Sequence, residues 1–314
     1  MKLLEYYRDG LIEEEHYGFI TVKTPTETKH IGEDNGYPFF LRSCAKPLQA
    51  SLLCDYGLDR ELSLEQIAVC CASHAGEQCH VMVVRSVLEK FGLSEKMLQC
   101  GEHEPVSFSA QKELILKGEK AGQIHNNCSG KHAMMLALCK KNGWSLDNYY
   151  ELEHPLQQSI KSKINDLCEV TEIYPITTDG CGVPIFSMPL ENILKGYLNL
   201  FFDDKYVKIK EAFQNCPYLI GGENRLDTAV MMKNPHLISK VGAGGLCVVV
   251  NLEEKSAFVV KIADCDMRAR AICVIKLLKD FGWIKEETDF MKIQNSTDIL
   301  TIKGLKVGEV KACF

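Results

Sequence analysis

The sequence predicts an α+β fold, in which strands from both ends of the chain form a sheet and helices fill the region between them. β-Rich segments occur near the N-terminus and again over the last third. Helical patterns dominate about residues 60–215, which predicts a helical region inserted between the two sets of strands. Strands around a helical middle indicate that residues 1–314 form a single unit.

The composition narrows the classes of function. A net charge of −6 leaves no general basic surface, so we expect neither nucleic acid nor an anionic membrane as partner. No apolar run approaches the ~18 residues that a membrane span needs. Residues 1–15 are charged throughout and lack the apolar core of a signal peptide. The 15 cysteines are scattered without repeated spacing, which predicts reduced thiols and a cytoplasmic location.

The N-terminal elements follow from local signals. Segment 18–22 is β-rich, and 29–32 predicts a short partner strand before turn residues at 34–36. A helix is expected to begin at about Ser43, because the proline at Pro47 is tolerated in a first turn but not in a helix interior.

The middle of the chain is predicted to be mostly helical. Ser63 and Gln66 have the spacing of a capping box, which predicts a helix start. Further helices are predicted over residues 78–91, 111–120, 130–141, 148–167 and 205–213. Residues 174–184 are rich in Gly and Pro and are expected to form a loop.

The last third returns to strand patterns. Strands are predicted over 237–240, 246–251 and 257–262, with a turn at 253–255. An amphipathic helix is predicted over 267–281, and edge strands over 297–302 and 307–312.

A serine and a lysine lie three residues apart at the start of the first predicted helix. Ser43 and Lys46 would therefore share a helix face. A lysine activates a serine only as the neutral amine, and neutralising it at pH 7 costs ~4.6 kcal/mol at its ordinary pKa. Burial and a second cation nearby lower that pKa. The spacing predicts a nucleophilic serine, although a surface helix also often begins with serine.

Four further stretches combine polar side chains with glycine. They are CASHAGE at 71–77, NNCSGKH at 126–132, TTDGCGVP at 177–184 and ISKVGAGG at 238–245. Each alone has an ordinary structural interpretation: a helix end, an N-cap cluster, a tight turn and a hairpin turn. Together they contain more polar and reactive side chains than helix ends and turns require.

In this order the segments resemble the Rhizobium-type (class 3) L-asparaginases, the asparaginase II family. The resemblance covers nearly the whole chain and includes RSCAKP at 42–47, DGCGVP at 179–184 and GGENRLDT at 221–228. It implies a fold like that of serine β-lactamases, penicillin-binding proteins and serine glutaminases, with a central antiparallel sheet covered by helices. It also implies hydrolysis of L-asparagine to L-aspartate and ammonia.

The resemblance implies roles for particular positions. It pairs Ser43 with Lys46. A second pair joins Ser73 to Lys240, with Lys261 as the alternative lysine. Which serine attacks first stays open, and Ser43 is our first choice. The positions implied near the substrate or the metal are Arg42, His74, His132, Asp179, Gly242 and Ala243.

The resemblance further implies a homodimer and a zinc ion held by Cys128, Lys131 and Cys181, which assists substrate binding. Two thiolates and a neutral amine suit zinc, and a buried, metal-free pair of cysteines is the alternative. Two other functions stay open. One is hydrolysis of glutamine or another amide, and the other is a zinc or thiol sensor without turnover.

Overall fold

The computed structural model describes residues 1–172, 174–294 and 296–314. Its strands are β1 (Lys2–Arg8), β2 (Leu11–Lys23), β3 (Thr28–Ile31), β4 (Phe39–Phe40), β5 (Ile176–Thr178), β6 (Pro184–Met188), β7 (Leu237–Gly242), β8 (Leu246–Asn251), β9 (Ser256–Ile262), β10 (Asp298–Leu300) and β11 (Lys306–Ala312). Its helices are α1 (Ala45–Asp55), α2 (Leu64–Cys71), α3 (Gln78–Lys90), α4 (Phe108–Lys117), α5 (Ser129–Asn142), α6 (Pro155–Cys168), α7 (Leu190–Phe202), α8 (Val207–Asn215), α9 (Pro217–Ile220), α10 (Leu226–Met232), α11 (Met267–Asp280) and α12 (Asp289–Gln294).

The main sheet joins the two ends of the chain. Its strand order is β10-β11-β1-β2-β9-β8-β7, and β3 pairs with β2 off this path. The described pairs are antiparallel, from β10 with β11 at one edge to β7 with β8 at the other. A small sheet of β4, β6 and β5 lies apart from it. The prediction of an α+β fold with a sheet built from both termini is confirmed.

The central strands bury side chains on both faces, because each face packs against helices. Val248 and Val259 belong to a core formed with the helices of the middle region, whereas Val249 and Phe258 belong to a second core with α11. This alternation follows from the two-residue side-chain period of a strand. The sheet is therefore the shared wall of two hydrophobic cores.

The element predictions hold where local signals are strong. The capping box at Ser63 and Gln66 is present, with Ser63 accepting from the Gln66 backbone and Gln66 from that of Ser63. The predicted helix over 148–167 begins later, at Pro155, because Pro155 occupies its first turn. Strand β1 and helix α7 were not predicted. The expected loop at 174–184 also contains β5 and the start of β6.

The cysteines are free thiols. Ten are buried, and Cys79 and Cys265 are exposed. Among the described residues, none of the helices combines the length and the apolar character needed to cross a membrane.

Candidate active site

Lys46 lies at the centre of the polar site. Its side-chain nitrogen Nζ lies 2.8 Å from Ser73 Oγ, 2.7 Å from the Ala72 carbonyl oxygen and 3.1 Å from the Asn127 carbonyl oxygen. The side chain is almost fully buried, and burial lowers its pKa, with the charges of Lys131 and Lys240 acting in the same direction.

The predicted pairing of lysines and serines differs from the pairing in the structure. Lys46 bonds to Ser73, which had been assigned to the second lysine, instead of to Ser43. The reason lies in the backbone, because residues Arg42–Cys44 form a 3-10 turn before α1 begins at Ala45. Ser43 and Lys46 therefore do not lie on one continuous α-helix, as the spacing argument assumed.

Ser43 sits at a strained and crowded point of the chain. Arg42, directly before it, has a φ of 48°, which costs free energy for a residue with a side chain. The end of β7 packs against this turn, since a Cβ on Gly242 would lie 2.9 Å from the Leu41 carbonyl oxygen. Only glycine fits there, and the next residue, Ala243, is exposed beside it. Ser43 itself is partly exposed.

Lys240 is held by a residue that the sequence argument did not assign. Its ammonium lies 3.1 Å from Asp227 Oδ2 and 2.9 Å from the Val241 carbonyl oxygen. Asp227 also accepts a hydrogen bond from Ser239 at 3.2 Å. Asp227 belongs to the GGENRLDT segment. The sequence motif therefore included this position but did not indicate that it pairs with Lys240.

The two alternative lysines occupy different places. The Lys240 charge acts on Lys46, and the Lys240 carbonyl accepts from the Cys44 thiol at 3.2 Å. Lys261 instead lies over the Phe39 ring at 5.9 Å and donates to the Ile262 carbonyl. Geometry therefore favours Lys240 as the lysine of the site.

The predicted metal ligands come together in the interior. Lys131 donates to Cys181 Sγ at 2.9 Å. The pKa of Cys181 falls to about 5, first because the Cys128 thiol hydrogen-bonds to it and then because of the Lys131 charge, which outweigh its burial. The three side chains are buried. The two sulfurs are soft donors that suit a zinc ion. Burial opposes the charge of Lys131, but the neighbouring Cys181 and Cys128 charges raise its pKa, so Lys131 would have to release a proton to bind the metal.

Arg42 and Asp179 form an ion pair beside this cluster, with Arg42 Nε 2.7 Å from Asp179 Oδ1. Burial opposes ionisation of Asp179, but the charges of Lys131 and Arg42 outweigh it and lower its pKa. This pair links the Ser43 turn to the Cys181 loop across 137 residues of sequence.

His74 and His132, the two predicted site histidines, are buried, and burial favours their neutral form. Burial lowers the pKa of His132 to about 3, and its Nδ1 lies 2.7 Å from the Tyr149 hydroxyl. Its Nε2 is buried without a hydrogen-bond partner among the described residues. Burial also lowers the pKa of His74, whose Nε2 lies 2.9 Å from Ser129 Oγ.

A further cluster lies next to the Ser73 loop and was not predicted. Ligand atoms of Glu77, Cys79 and His80 lie within 4.8 Å of one another. Both carboxylate oxygens of Glu77 already accept hydrogen bonds, from the Tyr218 hydroxyl at 2.6 Å and the Glu223 amide at 2.9 Å. The cluster thus ties the Ser73 loop to the segment 221–228.

Comparison with known proteins adds to this geometry. The family model described as L-asparaginase II matches residues 4–312. The chain belongs to the L-asparaginase II family. Family membership makes it an amidohydrolase of the asparaginase type, with L-asparagine as the implied substrate.

The chain is also similar to two solved structures. One is a putative β-lactamase from Bacteroides dorei DSM 17855, with 13% identity, a TM-score of 0.42 and coverage of 78% of this chain and 85% of that one. The other is a β-lactamase from Mycobacterium bovis, with 12% identity, a TM-score of 0.36 and coverage of 81% and 89%. No curated protein matches the chain.

Proposed function

We propose that this member of the L-asparaginase II family hydrolyses L-asparagine through a serine nucleophile that Lys46 activates. The observation that carries the proposal is the buried amine of Lys46, 2.8 Å from Ser73 Oγ and with a lowered pKa. Burial shifts Lys46 toward its neutral amine, which is the form that can accept a proton from a serine. Such an amine, on a residue three positions after Ser43 in the chain, supports acyl transfer from an amide.

We assign the attack to Ser43 and a proton path to Ser73. Ser43 is partly exposed, whereas Ser73 is buried against Lys46. In the first step, Ser43 Oγ bonds to the amide carbon and its proton passes to the Lys46 amine. The carbon–nitrogen bond then breaks, and ammonia leaves with that proton through Ser73. Water next attacks the resulting ester and releases L-aspartate.

The oxyanion of the tetrahedral intermediate needs donors beside Ser43. Backbone N–H groups at the Ser43 turn and at the end of β7 are the nearest candidates, since Gly242 packs against Leu41. Losing one such donor typically costs ~2.7–4 kcal/mol of transition-state stabilisation. Lys240 would add positive charge near the same point.

Cys128, Lys131 and Cys181 would hold a zinc ion, for which their donor chemistry is suited. When bound, zinc would supply positive charge for substrate binding. The chain's own residues prepare the site, because the Arg42–Asp179 pair links the cluster to the Ser43 turn. We further propose a cytoplasmic location, which the free thiols support, and a homodimer, which rests on the resemblance alone.

The test is ammonia release from L-asparagine and L-glutamine by wild type, Ser43→Ala and Ser73→Ala, each with zinc and with chelator. We expect release from asparagine by wild type, its collapse in Ser43→Ala and a smaller loss in Ser73→Ala. Ser51→Ala is the matched control, because Ser51 is a buried helical serine that donates only to the Leu48 carbonyl.

Other outcomes would change the proposal. Activity that survives in Ser43→Ala but not in Ser73→Ala moves the nucleophile to Ser73. A folded, zinc-loaded wild type that releases nothing from either amide contradicts the function. For the metal, a thermal midpoint that zinc raises in wild type but not in Cys181→Ser supports the ligand set.

A further inference from the structure

The segment GGENRLDT at 221–228 is fixed in place by its own residues. Gly222 has a φ of 113°, and a Cβ there would lie 2.7 Å from the Ala75 Cβ, so this point of the loop requires glycine. The Gly222 amide donates to Thr228 Oγ1 at 3.0 Å, and the Glu223 amide donates to Glu77. The loop therefore presents the next side chains in a defined direction.

Arg225 is the cationic residue of this segment, and its side chain pairs with no residue that the structure describes. Its side chain is partly buried and makes no hydrogen bond or ion pair with any residue that the structure describes. The neighbouring carboxylates are already engaged, Asp227 by Lys240 at 3.1 Å and Glu223 by Ser109 at 3.1 Å. A guanidinium without a protein acceptor can offer its N–H groups to an incoming anion.

Arg225 lines a cavity that adjoins the site. The cavity has a volume of about 420 Å³ and is also lined by Ala75, Ser107, Phe108 and Glu223, whose carboxylate accepts a hydrogen bond from Ser109. Ala75 lies two residues after Ser73, and its carbonyl accepts from the Ser107 amide at 2.9 Å. After burial, the Arg225 charge is among the causes that lower the pKa of His74, so the guanidinium is near the Ser73 loop.

The other cations of the site are already paired. Arg42 binds Asp179, and Lys131 binds Cys181. Lys240 binds Asp227, and Lys46 donates to Ser73 and two carbonyls. Arg270 donates to the Gly242 carbonyl at 2.9 Å and has an unpartnered Nε, but it is buried. Among the described residues around the site, Arg225 is thus a partly exposed cation with neither a hydrogen bond nor an ion pair, available for a charged group of the substrate.

We infer that Arg225 binds the α-carboxylate of the amino-acid substrate, from the lack of any partner for its guanidinium in a cavity beside the Ser73 loop. The inference rests on the proposed function. L-Asparagine carries an amide for the serine and an α-carboxylate that needs a cation, and Arg is suited to two parallel hydrogen bonds with a carboxylate.

The test compares two amides that differ only in this group. L-Asparagine has the α-carboxylate, and 3-aminopropanamide is the same molecule without it. We expect Arg225→Met to lower kcat/KM for L-asparagine by roughly 100-fold and to leave that for 3-aminopropanamide unchanged. Arg225→Lys keeps the charge but loses the fork, so an intermediate loss is expected. Arg85→Met is the control, since Arg85 pairs with Glu95 on the surface.

Calorimetry gives a second readout that does not need turnover. L-Aspartate and β-alanine are the matching products, and we expect Arg225→Met to lose affinity for L-aspartate only. Equal losses on both amides, or wild-type affinity for L-aspartate in the folded variant, overturn the inference. A wild type that binds L-aspartate through Arg225 but releases no ammonia overturns the proposed function alone. A wild type that neither binds nor turns over these compounds overturns both.

Discussion

Lys240 and Asp227 form an ion pair in which both side chains are removed from water, with 0% and 1% exposure. Burying two charges costs more than the pair regains unless other hydrogen bonds complete the arrangement. Here the Val241 carbonyl and the Ser239 hydroxyl do so. The pair therefore keeps a positive charge next to Lys46, where it helps to lower the Lys46 pKa.

Removing only the carboxylate should be costly. Asp227→Ala leaves the Lys240 ammonium buried and unpaired, so we expect a loss of ~3–5 kcal/mol in the free energy of unfolding, measured with denaturant. Asp227→Ala combined with Lys240→Met should recover most of that loss. Glu113→Ala is the control, because the exposed Glu113–Lys117 pair should contribute at most ~0.5 kcal/mol. Equal stability of Asp227→Ala and wild type would contradict the prediction.

At the scale of single residues, the sequence predicts the candidate site residues better than it predicts their hydrogen-bond partners. Ser43, Lys46 and Ser73 were identified from short segments, and the structure brings Lys46 to Ser73. The pairing was not predictable, because it depends on a left-handed Arg42 and on the approach of the Ser73 loop from another element. Arg225 was in a recognised segment, but its lack of a partner is visible only in three dimensions.

At the scale of elements, α5 approaches α2 closely and carries the thiol–lysine cluster. Gly130 lies in the first turn of α5, and a Cβ there would overlap the Val69 carbonyl oxygen at the end of α2. The close approach sets Lys131 at the depth where it meets Cys181. Glycine is therefore required at this contact although it weakens a helix.

Gly130→Ala should reverse the usual effect of this substitution. Alanine normally stabilises a helix by about 1 kcal/mol relative to glycine, but overpacking costs typically ~1–3 kcal/mol. We expect net destabilisation by thermal or chemical unfolding and weaker zinc retention. Gly122→Ala is the control, since a Cβ there meets nothing within 4 Å and its φ is −123°. A gain in stability in Gly130→Ala would rule out the close contact.

Whether an element could be predicted depended on the periodicity of its sequence. Strands β8 and β9 contain continuous apolar runs at 246–250 and 257–260 that are buried on both faces, and the two strands were predicted within one residue. Strand β1 escaped prediction because its apolar residues stand among charged ones, and it is stabilised by β2 and β11 on its two sides. The pairing with β11 is long-range and leaves no local signal, whereas the two-residue Asp9-Gly10 turn that joins β1 to β2 is a local hairpin signal that was not used.

At the scale of the whole molecule, the sheet couples two cores. Each core is in contact with one tryptophan. Trp144 packs against the core of the middle helices, and Trp283 lies in the core with α11. Successive residues of β8 and β9 belong alternately to the two cores. Loss of the sheet would therefore expose one face of each core.

The two tryptophans should therefore report one transition. We expect Trp144→Phe and Trp283→Phe, each leaving a single fluorescent tryptophan, to give denaturation curves whose shapes match those from circular dichroism of the same variant. That result would also support the prediction of a single unit over residues 1–314. A tryptophan curve that clearly precedes the circular dichroism curve would instead show that one core unfolds independently.

The distribution of the cysteines gives this fold a set of native reporters. Cys79 and Cys265 are exposed, while the ten buried thiols include eight in the core of the middle helices and Cys247 and Cys273 in the other. A thiol reagent labels a buried cysteine only when its surroundings open. Mass spectrometry of timed labelling would therefore rank the local opening free energies of the two cores without introducing any probe residue.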